Sequence, residues 1–272
     1  MNNTNLNGQF ARISSSVSML DGRFSEARSH LGNESESSRF EVRLALPHEL
    51  DEVFALRWDV FLSGNEQIIQ TMKDVDDFDA VADHLVVIHQ GRIVATYRVL
   101  PTDRVLNAGL GLYAAHEFVV DPLMEMLDPR KTVELGRSCV HPAYRNGAIP
   151  KLLWSALAKY MTEQGRSEAV GCVSVFNRSH AEANALVKYF QNTGAWTAGF
   201  ECPASTKVES ASENFDAAHL KSLVPPLLRS YLMLGAKILG GPAHDPVFHC
   251  HDFLMHFSTT TMSDRCRKTL FS

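Results

Sequence analysis

The chain contains no apolar run near the roughly 20 residues that a membrane-spanning helix needs. Its N-terminus also lacks the continuous apolar core of a secretion signal. Cysteine is sparse: five residues, scattered, with no Cys-x-x-Cys pair. That excludes a disulfide framework and fits reduced thiols in a cytoplasm. An excess of positive charge is missing too. The 26 Lys and Arg against 31 Asp and Glu leave a net charge of −5, so the chain as a whole has no bias toward nucleic acid. Internal repeats are absent. What remains is an ordinary globular composition, 45% apolar and 21% charged, on a 272-residue chain able to bury a substantial core.

Residues 1–39 are rich in Ser, Asn, Glu and Arg without sustained periodicity and read as a flexible tail, with a short helix around Ser18–Ala27. Order is expected over 40–260, with a second tail at 261–272. "FEVRLA" reads as a strand. Leu50, Val53, Phe54, Leu56, Trp58 and Phe61 then recur at helical spacing after a proline start. An acidic stretch, "KDVDDFDAVADH", precedes two strand-like runs joined by Gln90-Gly91, a hairpin signal. A strand over 133–140 leads to a helix over about 148–164, whose apolar face is Ile149, Leu152, Leu153, Ala156, Leu157, Tyr160 and Met161. "AVGCVSVF" is a buried strand. In "SHAEANALVKYF" Ser179 and Glu182 have capping-box spacing. An apolar helical segment is expected over 223–240, and "HDPVFHCHDFLMHF" reads as the final strand. The fold class is α/β (α+β): a central mixed, mostly antiparallel sheet flanked by helices.

Chemistry concentrates in "VELGRSCVHPAYRNGAIPKLLW". Glu134 and Arg137 stand three apart on one strand and so nominally face opposite ways. A bulge that Gly136 permits would turn both into one cleft, where a carboxylate accepts a proton and a guanidinium orients it. The alternative is a solvated strand carrying two unrelated charges. Arg145, Asn146, Gly147 and Ala148 open the following helix, where backbone N–H groups, the helix dipole and an arginine favour a phosphate. An ordinary strand–helix turn is the other reading. Residues 130–166 hold seven basic and two acidic side chains, a basic face on an acidic protein.

The stretch from about 40 to 260 resembles the bacterial L-ornithine Nα-acyltransferases of ornithine-lipid biosynthesis, relatives of the GNAT acyltransferase fold. The segments that carry the likeness are "LRWDVF", "DVDDFDAVADHLVV", "VATYRVL", "VELGRSCVHPAYRNGAIPKLLW", "GCVSVF", "VPPLLRSYLMLGAKI" and "DPVFHCHDF". The first four also resemble acyl-homoserine-lactone synthases; the two late segments do not. The resemblance implies a donor thioester on acyl carrier protein, no permanently bound cofactor and no metal. It implies Glu134 as general base with Arg137 orienting it, and Arg57, Asp76, Asp79 and Arg98 on the amino-substrate side, the aspartates facing a cationic acceptor such as ornithine. It places the phosphopantetheine at Arg145–Ala148. That turn keeps one glycine where the GNAT signature has two, which counts against coenzyme A. Ala82 stands where many relatives are expected to have cysteine. Two adjacent parallel strands, 133–140 and 169–176, are expected to splay and admit the pantetheine arm, with bulge N–H groups receiving the oxyanion.

Other readings compete. Cys139 and His141 share a strand face and are the right types for a thiol nucleophile. His244, His249, Cys250, His251, Asp252 and His256 are metal-ligand types whose spacing fits no closed zinc pattern. "VPPLLRSYLMLGAKIL" reads either as a core helix or as a surface helix resting Arg229 and Lys237 on an anionic membrane, a peripheral location. Glycine or another amino acid as acceptor, a lactone synthase, and a catalytically silent acyl-carrier or lipid-binding module are the alternatives in function.

Overall fold

Residues 40–63, 72–145, 148–176, 179–206, 208 and 213–263 are described by a computed structural model; the expected tail 1–39, most of 261–272, and Asn146-Gly147 lie outside them. The short β1 (Glu41–Leu44) is followed by α1 (Leu50–Phe61), entered through a 3-10 turn at Pro47–Glu49. β2 (Asp83–His89) and β3 (Arg92–Pro101) are buried on both faces, and each reads as a nearly continuous apolar run. Gln90 and Gly91 both take positive φ, 51° and 74°, the mirror-image turn whose twist matches the strands it joins.

Two short helices, α2 (Thr102–Asn107) and α3 (Asp121–Met126), flank a 3-10 turn at Tyr113–His116 before β4 (Thr132–Val140). The expected amphipathic helix is α4 (Ile149–Glu163), and β5 (Glu168–Val175) and α5 (His180–Asn192) follow. Ser179 caps α5 through its hydroxyl, which accepts from Glu182 N at 3.2 Å. The Glu182 carboxylate pairs with His219 at 2.9 Å, tying α5 to α6 (Ala217–Leu223).

The C-terminal expectation needs two corrections. The helix expected over 223–240 is only α7 (Pro226–Met233); Gly235, at φ 99°, ends it, and Lys237 begins a strand, β6 (Lys237–Asp245). "HDPVFHCHDFLMHF" is likewise not one strand. Asp245 closes β6, its carboxylate accepting from Val247 N (2.7 Å) and Phe248 N (3.0 Å), and β7 (Cys250–Ser258) returns beside it.

The seven strands run in the order β1-β2-β3-β4-β5-β7-β6. Every neighbouring pair is antiparallel except β4 and β5. On one face α4 covers Leu85, Val87 and Val133, while α5, α6 and α7 cover Val173, Val175 and Phe253. On the other, α1 covers Val86 and Ile88, and the segment from Leu112 to Leu127 covers Val170 and Leu254. Among the described residues no helix is long and apolar enough to cross a membrane.

Candidate active site

The parallel pairing of β4 with β5 lasts for three residues, Thr132↔Glu168, Val133↔Ala169 and Glu134↔Val170, and then stops. Gly171 lies at the fork, against the Leu135 carbonyl, where any Cβ would collide with that oxygen. The expected splay between these strands is present.

Glu134 occupies the last paired position and is only 2% exposed. Its two oxygens accept from Tyr113 N (2.6 Å) and Ala114 N (2.7 Å), the opening N–H groups of the 3-10 turn. Burial lifts its pKa to about 7, against the opposing pull of those two N–H groups and of the nearby Arg98. A carboxylate poised there suits proton transfer near neutrality.

The bulge lies one residue beyond the expected place. Arg98 pairs with Gly136 and Thr96 with Cys139, so Tyr97 stands opposite both Arg137 and Ser138. Arg137 itself, not Gly136, takes the positive φ of 50°. The turn brings Arg137 to the same short segment as Glu134. Its Nη1 donates to Tyr113 Oη at 3.1 Å, and the guanidinium lies 5.1 Å from the Tyr113 ring and 6.0 Å from that of Phe248. Arg137 thus meets Tyr113 at the hydroxyl and Glu134 meets it at the amide.

Arg57, Asp76, Asp79 and Arg98 are gathered beside this pair, with Asp74 added. Arg57 is wholly enclosed. It donates to Asp74 (2.9 Å) and to both oxygens of Asp79 (2.7 and 3.1 Å). Arg98 donates to Asp76 (2.6 and 2.8 Å) and Asp79 (3.2 Å), and Arg137 to Asp74 (2.9 Å). Three arginines and three aspartates therefore neutralise one another. This corrects the expectation for Asp79: its oxygens are taken by Arg57, Arg98 and the Asp76 amide, leaving none for an acceptor ammonium. The Asp76 side chain keeps 25% exposure at the rim but is engaged by Arg98. Beside them His84 is held neutral, its pKa lowered to about 4 chiefly by burial.

A second acidic group had no counterpart in the sequence reading. Glu117, at the far end of the Tyr113–His116 turn, hydrogen-bonds Asp252 of β7. Burial pushes both carboxyls upward and so does the charge of Asp245, with Asp252 raising Glu117 further, while hydrogen bonds from Ser174 and Glu117 pull Asp252 back down; the pair retains a proton. Asp245, Cys250 and Asp252 place their ligating atoms within 4.8 Å of one another. Cys250 and Asp252 were marked in the sequence, as part of a histidine-rich group that the fold disperses, and Asp245 was not. His251 and His244 cluster with His180, His251 pairing with it at 2.7 Å, and His256 pairs with Glu168.

One expectation loses support. Cys139 is buried under α1 and burial raises its thiol pKa to about 12, which removes it as a nucleophile; His141 accepts from Ala143 N in the next turn. Arg145 Nε donates to the Val140 carbonyl at 3.0 Å, and Ala148 stands at the N-cap of α4. Asn146 and Gly147, the centre of the expected phosphopantetheine turn, are outside the described residues.

The chain is similar to known acyltransferases. Residues 56–155 match the acetyltransferase (GNAT) domain family. The L-ornithine Nα-acyltransferase of Rhodobacter capsulatus is 30% identical over 248 residues, covering 84% of this chain and 93% of the relative. That of Agrobacterium fabrum is 28% identical over 266 residues, covering 91% and 90%. Among solved structures, the acyl-homoserine-lactone synthase LasI superposes at a TM-score of 0.49 and 13% identity, over 86% of this chain and 95% of its own. With relatives matched over nearly their whole length, the chain belongs to the L-ornithine Nα-acyltransferase family and is an N-acyltransferase on a GNAT core.

Proposed function

We propose that this protein transfers a fatty acyl group, 3-hydroxyacyl by preference, from the thioester of acyl carrier protein to the α-amine of L-ornithine, forming a lyso-ornithine lipid. The observation that carries the reading is Glu134, buried at the last residue before β4 and β5 part, with a pKa lifted to about 7. The fork admits the pantetheine arm. Glu134, acting through a water, takes the proton of the α-amine as its nitrogen attacks the thioester carbonyl. The C–N bond forms and backbone N–H groups at the Arg137–Ser138 bulge receive the oxyanion. The C–S bond then breaks, and the pantetheine thiolate leaves and is protonated. Arg137 holds the acceptor's α-carboxylate.

The acceptor's second ammonium needs a counter-charge, and the aspartates near Arg57 and Arg98 are already neutralised. Glu117 and Asp252 fill that role in this reading. The turn between Tyr113 and Glu117 is about 8 Å long at 3-10 rise, a span suited to a diamine stretched from Glu134 to Glu117. Binding a cation expels their shared proton. The protein works in the cytoplasm and releases an amphiphile at the membrane surface.

The test is incubation with 3-hydroxyacyl carrier protein and ornithine, glycine or S-adenosylmethionine in parallel, with products read by mass spectrometry. N-acylornithine is expected; acylglycine or a lactone moves the protein to another acceptor, and no product with any acceptor favours a binding module. Glu117→Gln should lower kcat/KM for ornithine at least tenfold and leave glycine, a poor substrate, unchanged.

A further inference from the structure

The acyl-transfer steps proposed above use no residue of "VPPLLRSYLMLGAKIL", which builds a separate feature on the other face of the sheet. A cavity of about 290 Å³ lies between the C-terminal end of α5, α6, α7 and the start of β6. Its polar edge carries Lys221, Arg229 and Lys237, and among the described residues no carboxylate lines it. Phe190, Val224 and Leu232 supply an apolar wall.

Two of the cations are held in place by backbone. Arg229 Nη2 donates to the Val224 carbonyl at 3.0 Å, and Lys237 Nζ donates to the Gly194 carbonyl at 2.7 Å. Each keeps further N–H donors beyond that bond. Lys237 at the end of α5 also complements that helix's dipole, which accounts for one cation but not for three. On a chain of net charge −5, three cations around an apolar recess with no acid among them are complementary to an anionic amphiphile. Met233, the last residue of α7 and next to Leu232 in the chain, is an apolar side chain left 55% exposed.

We infer that this recess seats the phosphate of an anionic phospholipid in a bilayer, with Lys221, Arg229 and Lys237 around the headgroup and Leu232 and Met233 against the first acyl carbons. The volume is below that of a whole lipid site, so one headgroup enters while the chains remain in the membrane. The choice of a bilayer over a soluble polyanion rests on the proposed function, whose product is itself an amphiphile that must enter a membrane. The recess turns the molecule toward the surface that receives it.

Co-sedimentation of the full chain with vesicles of phosphatidylcholine alone, or mixed with phosphatidylglycerol, tests this. Binding is expected to the anionic vesicles only. Removing one charge should weaken it about fivefold, and the triple variant Lys221→Gln, Arg229→Gln, Lys237→Gln roughly a hundredfold. Lys221→Glu alone, at an exposed position, guards against a folding defect and should weaken binding more than tenfold. Equal binding to neutral vesicles, or variants that bind like the wild type, overturns the inference. So does stabilisation by inorganic phosphate without vesicle binding, which would make the ligand a soluble anion. Acyl transfer with soluble carrier protein and ornithine, measured without vesicles, should be unchanged in the triple variant. If the wild type binds vesicles but transfers no acyl group, the proposed function fails while the headgroup site stands.

Discussion

Glu134→Gln separates what a buried carboxylate does for catalysis from what it costs the fold. The native carboxyl titrates at about 7 rather than at the ordinary 4.5 because burial penalises its charge. Between those values the folded state holds a proton that the unfolded state has released. Stability therefore falls as pH rises through this window, by about 1.4 kcal/mol per pH unit, and levels off above 7. Across pH 5 to 8 the wild type should lose about 2–3 kcal/mol to this group. The amide cannot titrate, so its own curve lacks that fall. It also has one oxygen for the two donors, Tyr113 N and Ala114 N, and leaving one unmet costs about 1–3 kcal/mol at every pH. The variant should thus be the less stable protein at pH 5, with its deficit shrinking by about 2–3 kcal/mol, or reversing, by pH 8. Urea unfolding at four pH values reads this directly. A constant offset between the curves would show that Glu134 ionises normally and sink the proton-transfer role. In activity, the acceptor amine gives kcat/KM one slope with pH and Glu134 adds a second below about 7. In Glu134→Gln that second slope should vanish and the rate drop by about 10² to 10⁴.

Arg57→Met leaves Asp74 and Asp79 buried beside less positive charge and should cost about 3–5 kcal/mol in urea unfolding; a loss under 1 would mean the cluster is solvated. Gly171→Ala pushes a methyl into the Leu135 carbonyl at the fork and should cost about 1–3 kcal/mol. It should also raise KM for acyl carrier protein while leaving KM for ornithine alone, and equal effects on both would place the fork elsewhere. Tyr113→Phe deletes the hydroxyl that meets Arg137 but keeps the amide that meets Glu134, so kcat/KM should fall about tenfold with an unchanged pH profile. An altered profile would mean that the two functions of Tyr113 are not separable.

Much of the architecture was legible in the sequence because its signals are local. Gln90-Gly91 can serve only as a tight turn between two apolar runs, and the seven-residue apolar face of α4 fits no other period. The strand β6 was hidden because "LGAKIL" suits a helix as well as a strand, and only Gly235 at φ 99° stops the helix. The bulge was read from the residue most tolerant of it, Gly136. The backbone instead places the left-handed residue at Arg137, where ion pairs to Asp74 and Asp76 and the contact with Tyr113 hold it.

The site was least legible where charge had no visible partner. Asp76 and Asp79 stand in an acidic run, and in a linear chain such a run looks available to a cationic substrate. Folding brings Arg57 from α1 and Arg98 from β3 onto them and removes that availability. Glu117 shows the reverse: nothing acidic surrounds it in sequence, so it attracts no notice, yet the sheet order carries Asp252 and Asp245 to it from the other end of the chain. What marks a carboxylate as open to a substrate cation is the absence of an internal one, and that depends on topology rather than composition. By that criterion the acceptor's second ammonium belongs with Glu117 and Asp252. Asp79→Asn should therefore damage stability first, and Glu117→Gln should damage ornithine selectivity first. If Asp79→Asn instead lost ornithine selectivity with its stability intact, the two clusters would have to exchange roles.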